Sequence, residues 1–121
     1  MSKKKRSTNP ILRGLIRKLR KKGKEFNADV WLDLAEKLNK SNRSRAEVNV
    51  SQLDRHTKED ETIVVPGKVL GSGKLNHSIS VAAFSFSTRA RRRIRDAGGE
   101  ILTLEELVSK NPEGNKIRIM E

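Results

Sequence analysis

The chain contains 121 residues, no cysteine, and 27 basic against 15 acidic residues, which gives a net charge of +12. This length suits one domain, and the lack of cysteine excludes disulfides, cysteine-ligated zinc and cysteine nucleophiles. The sequence has no apolar run of the roughly 18 residues that span a membrane and no recognisable secretion signal, so we expect a cytoplasmic protein.

The excess positive charge lies at one end of the chain. Residues 1–24 contain eleven Lys or Arg and no acidic residue, whereas the other 97 residues contain 16 basic and 15 acidic residues. A block of like charge repels itself and is stabilised by a polyanion. We expect residues 1–24 to form a basic tail and an amphipathic helix packed on the body, and residues 25–121 to form a single compact α+β domain.

The first predicted helix begins at Asn9 and Pro10, residue types that suit the cap and the first helical position, and it ends at Gly23. One face is basic and points outward, with Arg13, Arg17, Arg20 and Lys21. The opposite face is an aliphatic stripe, with Ile11, Leu12, Leu15, Ile16 and Leu19. Because the stripe lacks the Trp or Phe that usually anchors an interfacial helix, a nucleic acid is favoured over a membrane as the partner.

A second helix is predicted over residues 27–39 and is followed by a basic loop at 40–45. The apolar face of this helix contains Val30, Trp31, Leu34, Ala35 and Leu38. Val48 and Val50 then alternate as in a short strand. Ser51 begins a pattern similar to a capping box, which predicts a short helix.

The second half of the chain has the period of β-strands. Residues 62–65 predict a strand that Pro66 and Gly67 stop and that residues 68–70 resume, and residues 76–84 predict another. The second strand should bury one face, with Ile79, Val81 and Ala83.

An arginine-rich helix should follow, with Ser85 or Ser87 as its cap and Gly98-Gly99 at its end. Its inward side chains should be Ala90, Ile94 and Ala97. A short strand at 101–102, a helix capped by Thr103 and an edge strand at 116–120 complete the predicted elements.

The glycine-rich segment at 71–73 does not match a nucleotide-binding loop. Lys68 stands where a Walker loop needs glycine, Leu75 replaces its Ser or Thr, and Asn76 replaces the third glycine of the dinucleotide pattern. Two interpretations stay open: a plain turn between strands, or a turn whose backbone approaches a nucleic-acid phosphate beside Lys68 and Lys74.

Neither a metal site nor a catalytic site is predicted. His56 and His77 lie 21 positions apart without an evident nucleophile or set of ligands, and we interpret them as surface or turn residues. The acidic run at 59–61 is interpreted as a solvated loop.

The most informative part of the body is the segment 89–95, where five of seven residues are arginine. A merely solvated helix face usually mixes charges of both signs, whereas here only Asp96 is acidic nearby. The planar guanidinium also suits bidentate phosphate contacts. The pattern therefore favours phosphate binding by Arg89, Arg91, Arg92, Arg93 and Arg95.

Three separated segments resemble one protein family. LNKSNRSRAEVNVSQL at 38–53 is similar to the signature region of the archaeal and eukaryotic large-subunit ribosomal protein eighteen. VLGSGKL at 69–75, and VAAFSFS at 81–87 together with AGG at 97–99, resemble the core shared with bacterial large-subunit ribosomal protein fifteen. The short chain resembles the archaeal form.

The resemblance implies an α+β fold, in which a helical N-terminal extension precedes an irregular β-β-α core. It implies a structural, non-enzymatic constituent of the large ribosomal subunit with no cofactor, no metal and no small-molecule substrate. The implied partners are the large-subunit ribosomal RNA and neighbouring ribosomal proteins. The alternative from charge alone is a general nucleic-acid-binding protein of the nucleoid type.

We infer the RNA contacts from charge and helix geometry. The expected RNA-binding residues are Lys3, Lys4, Lys5, Arg6, Arg13, Arg17, Arg20, Lys21, Lys22, Arg43, Arg45, Lys68, Gly71, Gly73, Lys74, Arg89, Arg91, Arg92, Arg93 and Arg95.

Overall fold

The computed structural model describes residues 10–40 and 46–121. The tail predicted at the N-terminus, the cap at Asn9 and most of the basic loop at 40–45 lie outside these residues. The described elements, in chain order, are α1 Pro10–Glu25, α2 Asp29–Leu38, β1 Ala46–Asn49, α3 Val50–His56, β2 Thr62–Leu70, β3 Ser80–Phe86, α4 Thr88–Asp96, β4 Glu100–Thr103, α5 Leu104–Lys110 and β5 Ile117–Ile119.

The strands form one sheet in the order β1-β2-β3-β4, and β5 also pairs with β2. All the recorded pairings are parallel. Because β3 follows β2 from Thr62 to Val69, β1 and β5 share the other edge of β2. β5 pairs with the first half of β2 and β1 with the second half.

Helices cover both faces of the sheet, and the alternation of side chains along β2 separates two clusters of buried residues. Val64 packs with the buried residues of α1, α2 and α5. Ile63 and Val65 point to the opposite face and pack with those of α3 and α4. The sheet therefore lies between α1 and α4. Helices and a sheet in this arrangement confirm the predicted α+β class.

The strand resumes after Pro66 and Gly67 as predicted, but these two residues do not break it, because β2 is one continuous strand from Thr62 to Leu70. Its pairing with β3 shifts register between Val65 and Lys68, so Pro66, which has no N–H, falls at an irregularity rather than in the regular ladder. Gly67 is required by close packing, because a Cβ there would lie 2.0 Å from the carbonyl oxygen of Ala46 in β1.

Two predictions for α1 were wrong. The helix does not end at Gly23 but continues to Glu25, and Gly23 packs against α2, where a Cβ would lie 2.7 Å from Leu32 Cδ2. Ile11 does not belong to the buried stripe, since 77% of its surface is exposed. The rest of the stripe is buried as predicted, with Leu12, Leu15, Ile16 and Leu19.

The cap of α3 is Asn49 rather than Ser51. Asn49 and Gln52 form the reciprocal capping box, in which the Gln52 side chain accepts from the Asn49 backbone N–H at 2.9 Å. Val50 is consequently the first residue of the helix and not a strand residue.

Local side-chain chemistry places the later caps as predicted. The Ser87 hydroxyl accepts the Ala90 N–H at 3.1 Å at the start of α4, and Thr103 and Glu106 form a capping box on α5. The C-terminal segment is tied to α2, because the buried Trp31 donates its indole N–H to the Pro112 carbonyl oxygen at 2.8 Å. No helix within residues 10–40 and 46–121 is long and apolar enough to cross a bilayer.

Candidate nucleic-acid interface

The outward surface of α1 is basic because the buried stripe uses only one side of the helix. We call the exposed side chains of Arg13, Arg17, Arg20 and Lys21 the α1 face. Within the described residues, none of the four is within 4 Å of a carboxylate. Four like charges on one helix surface destabilise the free protein and are offset by an external anion.

Lys22, also a predicted contact, differs from these four residues. Its side chain is half-buried, its ammonium lies 3.5 Å from Glu25 Oε1, and it also lies 5.5 Å from the centroid of the Phe26 ring. Lys22 is therefore partly neutralised within the chain.

The second basic surface is on α4, whose inward side chains, Ala90 and Ile94, are fully buried. At 100° per residue, Arg92 points furthest of the arginines from these two residues, Arg89 and Arg95 follow at equal angles, and all three are exposed. We call Arg89, Arg91, Arg92 and Arg95 the α4 face. Its members are exposed, and within the described residues none forms an ion pair.

Aromatic stacking orients one arginine of the α4 face. The Arg91 guanidinium carbon lies 5.7 Å from the centroid of the Phe86 ring at the end of β3. Such a contact orients the planar group while leaving its N–H donors free for an anion.

Arg93 has a different environment from the other α4 arginines. It is half-buried, and its guanidinium donates to the carbonyl oxygen of Gly73 in the loop between β2 and β3. This bond fixes the loop against α4, so at least part of the donor capacity of Arg93 is used within the chain.

The glycines of this loop allow close packing of neighbouring elements. A Cβ on Gly71 would lie 2.6 Å from Arg89 Cβ, and one on Gly73 would lie 2.3 Å from Ser51 Cβ. Gly73 also has φ of +93°, a conformation that favours glycine. These contacts account for the glycines within the fold, and RNA contact at Gly71 and Gly73 stays a prediction.

α3 holds the other side of the same loop through polar contacts. Asp54 accepts from Asn76 twice, from its backbone N–H at 2.9 Å and from its side-chain amide at 3.2 Å. His77 Nε2 lies 2.8 Å from the Thr57 hydroxyl, and its Nδ1 lies 3.5 Å from Asp54 Oδ1. His77 thus serves as a turn residue, in line with the sequence interpretation. Among the described residues, no group of three or more His, Asp or Glu is arranged to hold a metal.

The two predicted lysines near the loop are both exposed. Lys68 lies in β2 directly beside Glu47 of β1 in the parallel register. Lys74 lines a shallow cleft of about 230 Å³ together with Arg93 and Asp96. Both lysines are accessible, but each has an acidic neighbour, in contrast to the α1 face.

Of the nine described basic residues outside the predicted site, four lie within 4 Å of a carboxylate, namely Lys37, Lys40, Lys110 and Arg118, whereas Lys18, Lys24, Arg55, Lys58 and Lys116 do not. The nitrogen–oxygen distances are 2.9 Å for Lys37 and Glu121, 3.2 Å for Lys110 and Glu100, and 3.1 Å for Arg118 and Glu61.

Electrostatic shifts reflect two of these contacts. The hydrogen bond with Lys37 lowers the pKa of Glu121, and the same bond raises the pKa of Lys37. The pKa of Glu61 is lowered by the backbone N–H of Lys58 and by the charge of Arg118. The carboxylates therefore neutralise cations away from the two basic faces.

The α1 face and the α4 face are on opposite sides of the molecule, because the sheet separates the clusters into which the two helices pack. Arrays of unpaired guanidinium and ammonium groups bind phosphates and position a nucleic acid rather than read its bases. The predicted contacts at Lys3, Lys4, Lys5, Arg6, Arg43 and Arg45 lie outside the described residues.

Comparison with known proteins gives concordant matches. A family model described as ribosomal protein 60S L18 and 50S L18e matches residues 1–121. The chain is 53% identical over 114 residues to large ribosomal subunit protein eL18 of Methanothermobacter thermautotrophicus, covering 94% of each chain. It is 52% identical over 119 residues to the protein of the same name from Methanopyrus kandleri, again covering 94% of each. Identity to the Halobacterium salinarum protein is 46% over 113 residues, covering 93% of this chain and 97% of the relative.

Proposed function

The chain belongs to the family of ribosomal proteins 60S L18 and 50S L18e, and on that premise we propose how it acts as a structural constituent of the large ribosomal subunit. The family predicted from three sequence segments is confirmed. The α1 face and the α4 face bind phosphates of the large-subunit ribosomal RNA and stabilise its fold. The relatives are archaeal, and we place this protein on the ribosome in the cytoplasm.

One observation carries the proposal: the outward cations of α1 and α4 have no carboxylate partner within the described residues, whereas Lys37, Lys110 and Arg118 do. A protein with no polyanionic ligand gains stability by distributing its acids among its cations. Here no described carboxylate lies within 4 Å of either face, so the two faces are left for an external anion. Most of these contacts position the protein, and specificity comes from the shape of folded RNA.

The same proposal includes contacts from the tail at 3–6, from Arg43 and Arg45, and from the loop at 68–74. Neighbouring large-subunit proteins are the remaining partners. This role requires no catalytic residue, cofactor or small-molecule substrate, and we propose that the protein is not an enzyme.

A competition measurement tests the proposal. The full chain is bound to labelled large-subunit ribosomal RNA and challenged, at matched salt, with unlabelled ribosomal RNA or with random-sequence duplex DNA of equal phosphate concentration. We expect the ribosomal RNA to compete at least about a hundredfold better. Equal competition by the duplex would overturn the proposal and indicate a general nucleic-acid-binding protein of the nucleoid type.

A further inference from the structure

Gly14 is an exception to local helix preference. It lies in the fifth position of α1, a 16-residue helix, where glycine is the least favourable residue apart from proline. Glycine inside a helix is usually explained by crowding or by a backbone angle that other residues avoid.

Neither explanation applies to Gly14. Within the described residues, a Cβ built there would meet no atom within 4 Å apart from its chain neighbours and the backbone of its own helix, and Gly14 is not among the glycines with positive φ. Gly23 on the same helix shows the contrast, because a Cβ there would lie 2.7 Å from Leu32 Cδ2. The fold of the described chain therefore does not require glycine at position 14.

The surroundings of Gly14 indicate what does require it. Residues three, four and seven positions away share its side of a helix, and the described ones are Pro10, Ile11, Arg17, Lys18 and Lys21. Arg17 and Lys21 belong to the α1 face, and Ile11 is 77% exposed. Gly14 is thus a gap in side-chain cover, bordered by three cations and two apolar side chains.

We propose that this gap is a contact point at which the ribose–phosphate backbone of the large-subunit ribosomal RNA approaches the α1 backbone at van der Waals distance. Arg17 and Lys21 bind the flanking phosphates, and Ile11 packs on a ribose or a base. Charge complementarity favours RNA over a protein helix as the occupant, since three of the five bordering side chains are cations and none is acidic. This inference rests on the function proposed above and names one of its contact points.

The experiment is a substitution series at position 14 in the full chain, with Gly14→Ala and Gly14→Leu. Both replacements favour the helix over glycine, so each should raise the thermal midpoint of the free protein by about 3 °C. Affinity for large-subunit ribosomal RNA should instead fall as the side chain at position 14 becomes larger. We expect a loss of about threefold for Ala and more than about tenfold for Leu, since added atoms force the two surfaces apart.

Ser109→Ala is the matched control. It is an uncharged change at an exposed position of α5 that also increases helix preference. It should raise the thermal midpoint without weakening RNA binding, which separates stabilisation from steric exclusion.

The outcomes distinguish this inference from the proposed function. Unaltered affinity across the Gly14 series, with tight and selective binding by the natural chain, would overturn the contact point and leave the function standing. A fall in thermal midpoint for Gly14→Ala would also overturn it, because glycine would then be required by the fold. Failure of the natural chain to prefer ribosomal RNA over duplex DNA would instead overturn the proposed function.

Discussion

Two glycines border α4 and are required for different physical reasons. Gly71, in the loop between β2 and β3, packs against the first turn of α4, and Gly98 follows the last turn. Gly71 has an ordinary φ, but a Cβ there would lie 2.6 Å from Arg89 Cβ and 2.8 Å from the Ala90 nitrogen. Gly98 has φ of +82° and open space, since the nearest atom to its Cβ position is Ser78 Cβ at 3.8 Å. A substitution at Gly71 therefore forces two elements apart, whereas one at Gly98 only strains the backbone.

We predict that Gly71→Ala lowers the free energy of unfolding by about 2–4 kcal/mol, because the clash includes backbone atoms that cannot rotate away. Gly98→Ala should cost only about 1 kcal/mol. Urea unfolding of the two variants at neutral pH measures the difference.

Asparagine is the control that separates the two mechanisms. It tolerates positive φ better than alanine, so Gly98→Asn should recover part of the loss, while Gly71→Asn should be at least as harmful as Gly71→Ala. Equal losses for the two alanine variants would contradict the close contact between the loop and α4.

At the scale of single elements, α1 shows how strongly the burial of a side chain depends on its angular position around the helix. Ile11 and Leu12 are adjacent in sequence but lie 100° apart, and only Leu12 is fully buried. Leu12 shares its direction with Ile16 and Leu19, which pack towards α2 and α5 in the same buried cluster. The five aliphatic residues of the predicted stripe are therefore four core residues and one exposed residue.

We predict that Leu12→Ala lowers the free energy of unfolding by about 2–4 kcal/mol, through lost burial and a cavity. Ile11→Ala should change it by less than about 0.5 kcal/mol. Thermal or urea unfolding of the two variants measures the difference. Each variant truncates one side chain, and the two positions are adjacent on the same helix. A loss for Ile11→Ala close to that for Leu12→Ala would mean that Ile11 covers the body in the free protein.

The starts of α4 and α5 could be predicted from the sequence because they depend on contacts within a few residues, although the same kind of pattern misplaced the cap of α3 at Ser51 instead of Asn49. Ser87 and Thr103 cap their helices through bonds that span three positions, and the patterns of α4 and α5 contain both partners. Both halves of β2 were predicted, but their continuity across Pro66 and Gly67 was not, because it depends on pairing with β1, which lies about 20 residues earlier. Local signals indicate where these elements lie, whereas neighbouring strands decide whether a strand continues through an unfavourable pair of residues.

The same distinction applies to the candidate site. The outward direction of Arg92 and Arg95 follows from helical period and was predictable. The bond from Arg93 to the Gly73 carbonyl joins residues 20 positions apart and depends on how the loop packs on α4. Charge alone could therefore not separate Arg93, which is partly engaged within the fold, from its exposed neighbours.

At the scale of the whole molecule, the sheet makes the charge distribution two-sided. α1 packs in one buried cluster with α2 and α5, and α4 packs in the other with α3. The sequence showed two basic helices but not that they point in opposite directions, because only the pairing of the strands places the sheet between them. On the function proposed above, we therefore expect the protein to contact RNA segments on two sides.

This geometry predicts that the two faces bind RNA independently. We consider two double variants, Arg17→Gln with Arg20→Gln on α1 and Arg92→Gln with Arg95→Gln on α4. Each should reduce the magnitude of the negative slope of log affinity against log salt by about 1.4, which is about 0.7 per lost phosphate contact. Combining all four changes should double the loss, because sites separated by a sheet share no partners and their effects add. Titrations with large-subunit ribosomal RNA at several salt concentrations measure the slopes.

Lys37→Gln with Lys110→Gln is the charge-matched control for each pair. It removes two positive charges that are already bound to Glu121 and Glu100, so the slope should change little. If the control lowered the slope as much as the arginine pairs, RNA binding would depend on net charge rather than on the two faces. If one arginine pair abolished the effect of the other, a single RNA segment would have to contact both faces, which the intervening sheet opposes. Additive losses are therefore the result that follows from the fold, because each face neutralises its own phosphates and releases their counterions.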